Sequence, residues 1–172
     1  MFSLQNVNSF KEIVEFFQES AIQAMFPFSV PYYYDIFALR SVGWSEYNFQ
    51  RASLLKKYKK LPSFYLNKKN IFNKQLKIKQ FSNNLIEVES AFGGMGLYKI
   101  LKHKKSYSYN SAKLKTGLYT DHCIFNENFD KKIINTKFRI EAPKEHIYYK
   151  NLNFFEKTLY VFKTIKHDYF LK

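Results

Sequence analysis

The chain has 172 residues, of which 46% are hydrophobic and 20% aromatic; this length and apolar content predict one domain with a ring-rich core. Its formal net charge of +14 favours an anionic partner, such as nucleic acid, a phospholipid surface or a phosphorylated small molecule. The single cysteine excludes an internal disulfide, and no apolar run reaches the roughly 20 residues needed to cross a bilayer, so we expect a cytoplasmic protein, either free or peripheral to a membrane.

The first predicted element is a helix in "SFKEIVEFFQESAIQAM", residues 9–25. Apolar residues recur there every three or four positions, which indicates one apolar helix face. Ser9 and Glu12 have the spacing of a capping box, and we expect Pro27 to end the helix. The next stretch, "FPFSVPYYYDIFALR" (residues 26–40), is predicted to be extended and to become a buried strand at residues 33–39.

Residues 47–86 form a predicted basic excursion. Between Tyr47 and Ile86 there is no acidic residue, whereas Arg51 and nine lysines are present. Apolar spacing predicts a short helix at residues 54–61, before Pro62. The aromatic and basic mixture at residues 56–72 suits RNA, because bases stack on rings beside lysines that neutralise phosphates. Docking on an anionic membrane surface is the other interpretation of these lysines.

The C-terminal half alternates between strand and helix patterns. We predict a strand in "LIEVES" (residues 85–90), a strand or a helix start in "GLYKIL" (96–101), and an exposed lysine-rich loop at 102–117. A helix is favoured from Thr120, a strand in "KKIINTKFRIEAP" (131–143) is ended by Pro143, and residues 152–170 have the spacing of a closing amphipathic helix. Interleaved helices and strands predict a single mixed domain of the α/β or α+β class.

Three of the five glycines lie within four positions of "VESAFGGMGLYK", residues 88–99. Such a cluster indicates either backbone with positive φ or an approach too close for a Cβ atom. The spacing matches no phosphate-binding fingerprint, so a structural turn and a ligand-contacting loop both stay open. Glu87 and Glu89 stand before the glycines, and Asp121 and His122 follow the next lysine-rich stretch. Free backbone N–H groups beside lysines can hold a phosphate, and a nearby carboxylate can deprotonate a hydroxyl.

Asp35 is the only acidic residue between Glu19 and Glu46, and it stands inside an apolar run. A buried carboxylate needs a partner. A structural contact with Arg40 or with the backbone and a substrate-binding role both stay open. We predict no structural metal site, because the chain has four histidines and one cysteine without zinc-ligand spacing.

Three stretches, "YYYDIFALR" (32–40), "VESAFGGMGLYK" (88–99) and "TDHCIFN" (120–126), resemble in this order the GT-A glycosyltransferases related to the fungal capsule-associated α-mannosyltransferases. The resemblance covers about residues 30–126. It implies an α/β fold with a partial GT-A-like mixed sheet flanked by helices. It also implies hexosyl transfer from a nucleotide-sugar donor to a glycan acceptor.

The resemblance carries roles onto matching positions. Asp121 matches the acidic residue near the acceptor hydroxyl and is the candidate catalytic base. Glu89 and His122 are the candidate acceptor-binding residues. The candidate donor-binding residues are those of the glycine loop and of the first stretch, namely Gly93, Gly94, Gly96, Tyr34, Asp35 and Arg40.

The sequence also departs from this family. We expect the N-terminal nucleotide-binding half with its Asp-x-Asp pair to be missing, with Ser3 and Gln5 standing where the two carboxylates belong. Mn²⁺ or Mg²⁺ binding is then expected only if a partner supplies that pair. Asn126 stands where many relatives have a histidine. The expected partners are a nucleotide-sugar, a glycan acceptor, and either an N-terminal-half protein or a second copy. The alternative function is a non-catalytic basic module that binds RNA or an anionic membrane surface.

Overall fold

The computed structural model describes residues 7–46, 68–76, 84–100 and 120–143, together with residues 154–155, 158–159, 161–162 and 165–166. Most of the predicted basic excursion and the whole predicted loop at 102–117 lie outside these residues. The helices are α1 (Val7–Glu19), α2 (Asn73–Leu76, which follows a π-helical turn at Lys68–Phe72) and α3 (Asp121–Asn126). The strands are β1 (Ala24–Val30), β2 (Leu85–Glu87), β3 (Leu97–Tyr98) and β4 (Lys132–Glu141).

The four strands form one mixed sheet in the order β2-β4-β1-β3. The central strands β1 and β4 are parallel, while β3 and β2 pair antiparallel with them at the two edges. Parallel neighbours need a long crossover connection. Here the chain between β1 and β4 contains the two edge strands, β2 and β3, and helix α3. The predicted mixed α/β class is therefore confirmed.

Strand β1 is buried along almost its whole length because both faces of the sheet are covered. On one face, α1 packs Ile13 and Phe17 against Met25 and Phe138. The opposite face carries the larger, ring-rich core, built from Phe26, Tyr33, Leu39, Trp44, Phe129 and Ile134 with smaller apolar neighbours. The predicted aromatic core therefore lies on the side of the sheet that also holds α3.

The predicted end of the first helix was wrong. Helix α1 ends at Glu19, and residues 24–30 are strand β1. Apolar residues at 21, 22 and 25 continue the helical spacing by coincidence, because a strand buried on both faces carries apolar residues at every position. Pro27 lies inside this strand, where the pairing shifts: Pro27 is opposite Asn135, but Phe28 is opposite Arg139. An irregularity of this kind is where a sheet accepts a proline.

The strand predicted at residues 33–39 was also wrong. These residues form turns after β1. The Ser29 hydroxyl donates to Tyr32 O at 2.8 Å and accepts from Tyr34 N at 3.1 Å, and the chain bends at residues 31 and 32. The Asp35 carboxylate then accepts from Ala38 N at 3.3 Å. Local side chain–backbone hydrogen bonds of this type compete with extended structure.

Helix α1 begins at Val7, so Ser9 is not its N-cap as predicted, and the helical residues 68–76 had no predicted counterpart. The other described elements agree with the predictions. Strands form at Leu85–Glu87, Leu97–Tyr98 and Lys132–Glu141, and α3 follows Thr120. The described residues between 154 and 166 are helical. However, several of their large apolar side chains are exposed, so the closing helix does not bury its whole apolar face. No helix among the described residues combines the length and apolarity that a membrane span requires.

Candidate functional site

One open hollow of about 350 Å³ brings together three segments that are distant in the sequence. We call it the α3 hollow. The turn after β1, the residue that precedes the glycines, and the start of α3 supply its lining, which consists of Tyr34, Asp35, Phe37, Ala38, Phe92, Thr120, Asp121 and His122. These are parts of the three stretches on which the family resemblance rests.

The start of α3 fixes the position of Asp121. Thr120 is the N-cap, and its hydroxyl accepts from Cys123 N at 3.3 Å. Cys123 is buried against the turn after β1, with its Sγ 3.5 Å from Ala38 O. With that side of the helix anchored, Asp121 lies at the rim of the hollow with 59% of its side chain exposed. Its Oδ1 accepts from His122 N at 2.9 Å. Its negative charge interacts favourably with the positive, N-terminal end of helix α3.

His122 and Phe92 form a flat wall of the hollow. Their rings are stacked with centroids 3.7 Å apart and planes 10° apart. The His122 Nε2 atom lies 4.0 Å from Asp121 Oδ1. The imidazole is thus held between the face of the Phe92 ring and the Asp121 carboxylate. The wall therefore combines the polar nitrogens of His122 with the apolar ring of Phe92.

Tyr34 and Asp35 also line the hollow. Burial, followed by the nearby charge of Asp35, raises the pKa of Tyr34 well above its usual value. The phenol therefore stays protonated and keeps a hydrogen to donate. Asp35 makes the backbone contact with Ala38 that the sequence left open. It lines the hollow with Asp121, so two carboxyl groups face one space.

Arg40 serves the framework beside the hollow. Its Nη1 donates to Phe37 O at 3.0 Å and to Leu39 O at 2.5 Å. Its backbone forms an antiparallel bridge with Ser90. Nη2 is buried without a hydrogen-bond partner among the described residues. Arg40 does not belong to the described lining of the α3 hollow, and its donor-binding role stays a prediction.

The glycines have structural reasons for their positions. Gly93 and Gly94 have φ values of 69° and 94°, which favour glycine. A Cβ atom on Gly93 would lie 3.1 Å from Pro27 O, and one on Gly96 would lie 2.8 Å from the Tyr98 ring. The loop therefore packs on β1 and on the ring of Tyr98. Phe92 is its only described residue in the hollow, and the predicted contact of the glycines with a donor remains untested.

Asn126 is a key residue of the site that the sequence analysis noted only as a departure from the family. It is fully buried. Its Nδ2 donates to Ser90 Oγ at 2.9 Å and to Ala91 O at 2.7 Å, and its Oδ1 accepts from Tyr98 OH at 3.2 Å. These bonds tie α3 to both sides of the glycine loop and so hold His122 beside Phe92. Helical spacing from the buried Cys123 is the signal that could have identified it.

Glu89 lies in a different hollow from Asp121. Val88 and Ser90 are buried, whereas Glu87 and Glu89 are exposed on the other side of the chain. The two glutamates line a second hollow of about 380 Å³, with Lys132 and Asp130. Burial lowers the pKa of Lys132, although the charges of Asp130 and Glu89 act in the opposite direction. The structure thus separates Glu89 from His122, its predicted companion in acceptor binding.

Within the part of the chain that the structure describes, no group of three His, Cys, Asp or Glu side chains could hold a metal ion. Ser3 and Gln5 lie outside that part. Comparison with protein-family models, with curated proteins and with solved structures gave no match.

Proposed function

We propose that the α3 hollow binds a hexose unit and that the chain is the acceptor-side part of a glycosyltransferase, which transfers a sugar from a nucleotide-sugar to a glycan acceptor. The observation that carries this proposal is the meeting of two carboxylates, Asp35 and Asp121, with the stacked Phe92 and His122 rings in one hollow. Its volume of about 350 Å³ lies within the range of small-molecule sites.

The chemistry of the lining suits a sugar. A pyranose presents hydroxyl groups around its rim and C–H groups on its faces. Carboxylates accept hydrogen bonds from hydroxyls, and a protonated phenol or an imidazole can donate or accept. Tyr34 supplies the phenol, and Phe92 supplies apolar surface for a C–H face. The two carboxylates at the hollow can therefore select a ligand with several hydroxyl groups over a purely apolar one.

In the proposed reaction, an acceptor hydroxyl oxygen attacks the anomeric carbon of the donor. The new C–O bond forms as the bond from that carbon to the phosphate oxygen breaks, and the diphosphate leaves with the electron pair. Asp121 accepts the hydroxyl proton, a role that its exposed carboxylate at the rim can fill. Lysines of this basic chain neutralise the leaving diphosphate. The described residues provide no metal site, and no step is assigned to a metal.

The test is hexose binding, measured by isothermal titration and by ligand-observed NMR with a panel of free hexoses and UDP- and GDP-sugars. We expect Asp121→Asn and Asp35→Asn to weaken binding of the preferred sugar by roughly tenfold each, since a hydrogen bond to a charged group contributes about 1.5–3 kcal/mol. Asp130→Asn is the matched control, because Asp130 is an exposed aspartate outside the α3 hollow.

The transfer step is tested by adding the donor and a glycan acceptor, with any nucleotide-binding partner that copurifies. Asp121→Asn should then lower the transfer rate by about 10²–10⁴, the range of general-base catalysis, while the Asp130→Asn control keeps its rate. A wild-type chain that binds no sugar of the panel, or an Asp121→Asn variant with unchanged binding and transfer, would contradict the proposal.

The alternative function, a basic module for RNA, is supported by the net charge of +14. Salt dependence separates the two. Binding that neutralises several phosphates weakens steeply between about 50 and 200 mM salt, whereas binding of a neutral hexose in the α3 hollow should change little. Competition gives a second separation: RNA should not displace a hexose from the hollow.

A further inference from the structure

The C-terminal helical segment, residues 154–166, exposes a stripe of large apolar side chains. Phe155, Leu159 and Phe162 are 75%, 44% and 66% exposed. Their spacing of four and three residues places them on one face of a helix. The side chain of Phe154, at the start of the segment, is 86% exposed. Water thus contacts several rings that a helix ordinarily turns toward the core.

The helix also has an inner side. Thr158, Val161 and Ile165 are only partly exposed, and they lie at helical spacing on a face next to the stripe. The stripe is therefore separate from the side that is partly covered. Among the described residues of the segment, Val161 and Ile165 are less exposed than Phe154 and the stripe.

We infer that this stripe docks on an anionic membrane surface, with the helix lying in the plane of the lipid headgroups. Helices that bind in this way carry Phe or Leu on one face and Lys or Arg on the other. From residue 150 to the C-terminus the sequence has five lysines and only two acidic residues. Lys166, four residues after Phe162 and so at the C-terminal end of the stripe itself, is exposed, and lysines near an anionic surface contribute about 1 kcal/mol each.

Charge distinguishes this occupant from a second copy of the chain. Two copies meeting through the stripe would bring together chains of net charge +14 each, which repel. An anionic bilayer offers the opposite charge together with an apolar layer deep enough for the rings. RNA would satisfy the lysines, but an aliphatic side chain such as Leu159 offers no ring for a base to stack on.

The experiment is cosedimentation of the full chain with vesicles of phosphatidylcholine alone and of phosphatidylcholine with 30% phosphatidylglycerol. We expect binding to the anionic vesicles and much weaker binding to the neutral ones. The double variant Phe155→Ser/Phe162→Ser should lower the partition coefficient by at least about tenfold, given the free energy of burying each ring. Ile100→Ser is the matched control, because Ile100 is also exposed but lies outside the segment.

Charge and folding are tested separately. Lys166→Glu, with the stripe intact, should weaken binding to anionic vesicles several-fold and leave binding to neutral vesicles unchanged. Thermal melting of the double variant should match that of the wild type, since both rings are exposed. The inference is overturned by a wild-type chain that stays in the supernatant with anionic vesicles, by equal binding of the double variant, or by a dimer in analytical ultracentrifugation that the double variant abolishes.

Discussion

The glycine loop and the α3 hollow lie next to each other and contrast in how their polar groups are used. In the loop, positive φ values, close packing on Pro27 and Tyr98, and the hydrogen bond from the amide of Asn126 to Ala91 O hold the backbone in place. At the hollow, Asp121 is largely exposed and lines open space. The glycine cluster, the most conspicuous pattern of the sequence, thus supports the site from beside it. The hollow itself is lined by residues that form no such pattern. Phe92 is the residue that joins the two regions.

The largest effect should come from the hydrogen bonds that join the loop to α3. Asn126→Ala removes three hydrogen bonds, two of them buried, and leaves Ala91 O and Ser90 Oγ without that donor. We expect the free energy of unfolding to fall by about 3 kcal/mol and the melting temperature to fall by roughly 6–12 °C. Calorimetry or a thermal melt measures both.

The matched control is Asn84→Ala, because the Asn84 side chain is exposed and the substitution should change stability by less than about 0.5 kcal/mol. Equal melting temperatures for Asn126→Ala and Asn84→Ala would mean that the amide of Asn126 is not what joins the glycine loop to α3. The contrast between a packed loop and an open hollow would then lose its main support.

A smaller effect should separate the two requirements that favour glycine in the loop. Gly43 and Gly93 have nearly the same positive φ, 70° and 69°, but only Gly93 has a backbone atom in contact range of an added Cβ. Gly43→Ala should destabilise the fold by about 1 kcal/mol, from the left-handed backbone alone. Gly93→Ala should destabilise it by about 2–3 kcal/mol, because the crowding against Pro27 O is added.

Urea unfolding of the two alanine variants provides the measurement, with the wild type as reference. Equal losses would show that turn geometry accounts for both glycines and that the approach of β1 does not matter. If Gly93→Ala keeps its stability but loses sugar binding, the ligand-contacting interpretation of the loop would replace the structural one.

The sequence predicted the fold best where one physical signal dominated. Thr120 caps α3 at the expected residue, and β4 forms over a long run that ends with Phe138 and Ile140 alternating with exposed polar residues. The errors at Ala24–Val30 and at residues 33–39 have different causes. At residues 33–39 the hydrogen bonds of the Ser29 and Asp35 side chains to the backbone override the extended structure, whereas at Ala24–Val30 the cause is burial. In a strand buried on both faces the apolar periodicity disappears, and the irregular pairing that admits Pro27 depends on the partner strand β4. Periodicity within one segment contains no information about that partner.

The site was predictable to a different extent. The resemblance singled out Tyr34, Asp35, Asp121 and His122, and the structure lines one hollow with all four. Phe92 and its stacking on His122 were not foreseen, because a ring between an alanine and a glycine carries no periodic signal. The separation of Glu89 from His122 could have been expected from strand alternation, since residues 87 and 89 point to the side opposite Ser90.

A third prediction concerns the wall that joins the two regions. Phe92→Leu keeps apolar volume but removes the flat ring that stacks on His122. If a C–H face of the hexose packs on the Phe92 ring as proposed, losing that contact, which contributes about 0.5–1.5 kcal/mol, should weaken hexose binding by roughly three- to tenfold. Phe16→Leu is the control, because Phe16 is half exposed on α1 and outside the described lining of the α3 hollow. Titration of both variants with the preferred hexose decides whether the wall contributes to binding; equal affinities would assign Phe92 to packing alone.

The smallest predicted effect is a pH dependence of stability that comes from Lys132, in the second hollow. It tests whether this lysine serves the fold or the binding site. Its Nζ donates to Phe129 O and, at 3.4 Å, to Asp130 O, and burial lowers its pKa from the usual 10.5. The unfolded chain therefore binds more protons than the folded one between the lowered pKa and 10.5. Stability should rise with pH in that window and should be lowest where Lys132 is charged in both states.

Lys132→Met removes this dependence while keeping a long side chain. The difference in melting temperature between wild type and Lys132→Met should thus shift in favour of the wild type as the pH rises from 7 to 9.5. Titration of Tyr34, whose pKa is raised, affects both proteins alike and cancels in the difference. A constant difference would mean that the amine stays charged throughout this range in the folded state. A loss of hexose binding in Lys132→Met would instead give the second hollow a part in the site and remove the distinction between Glu89 and Asp121.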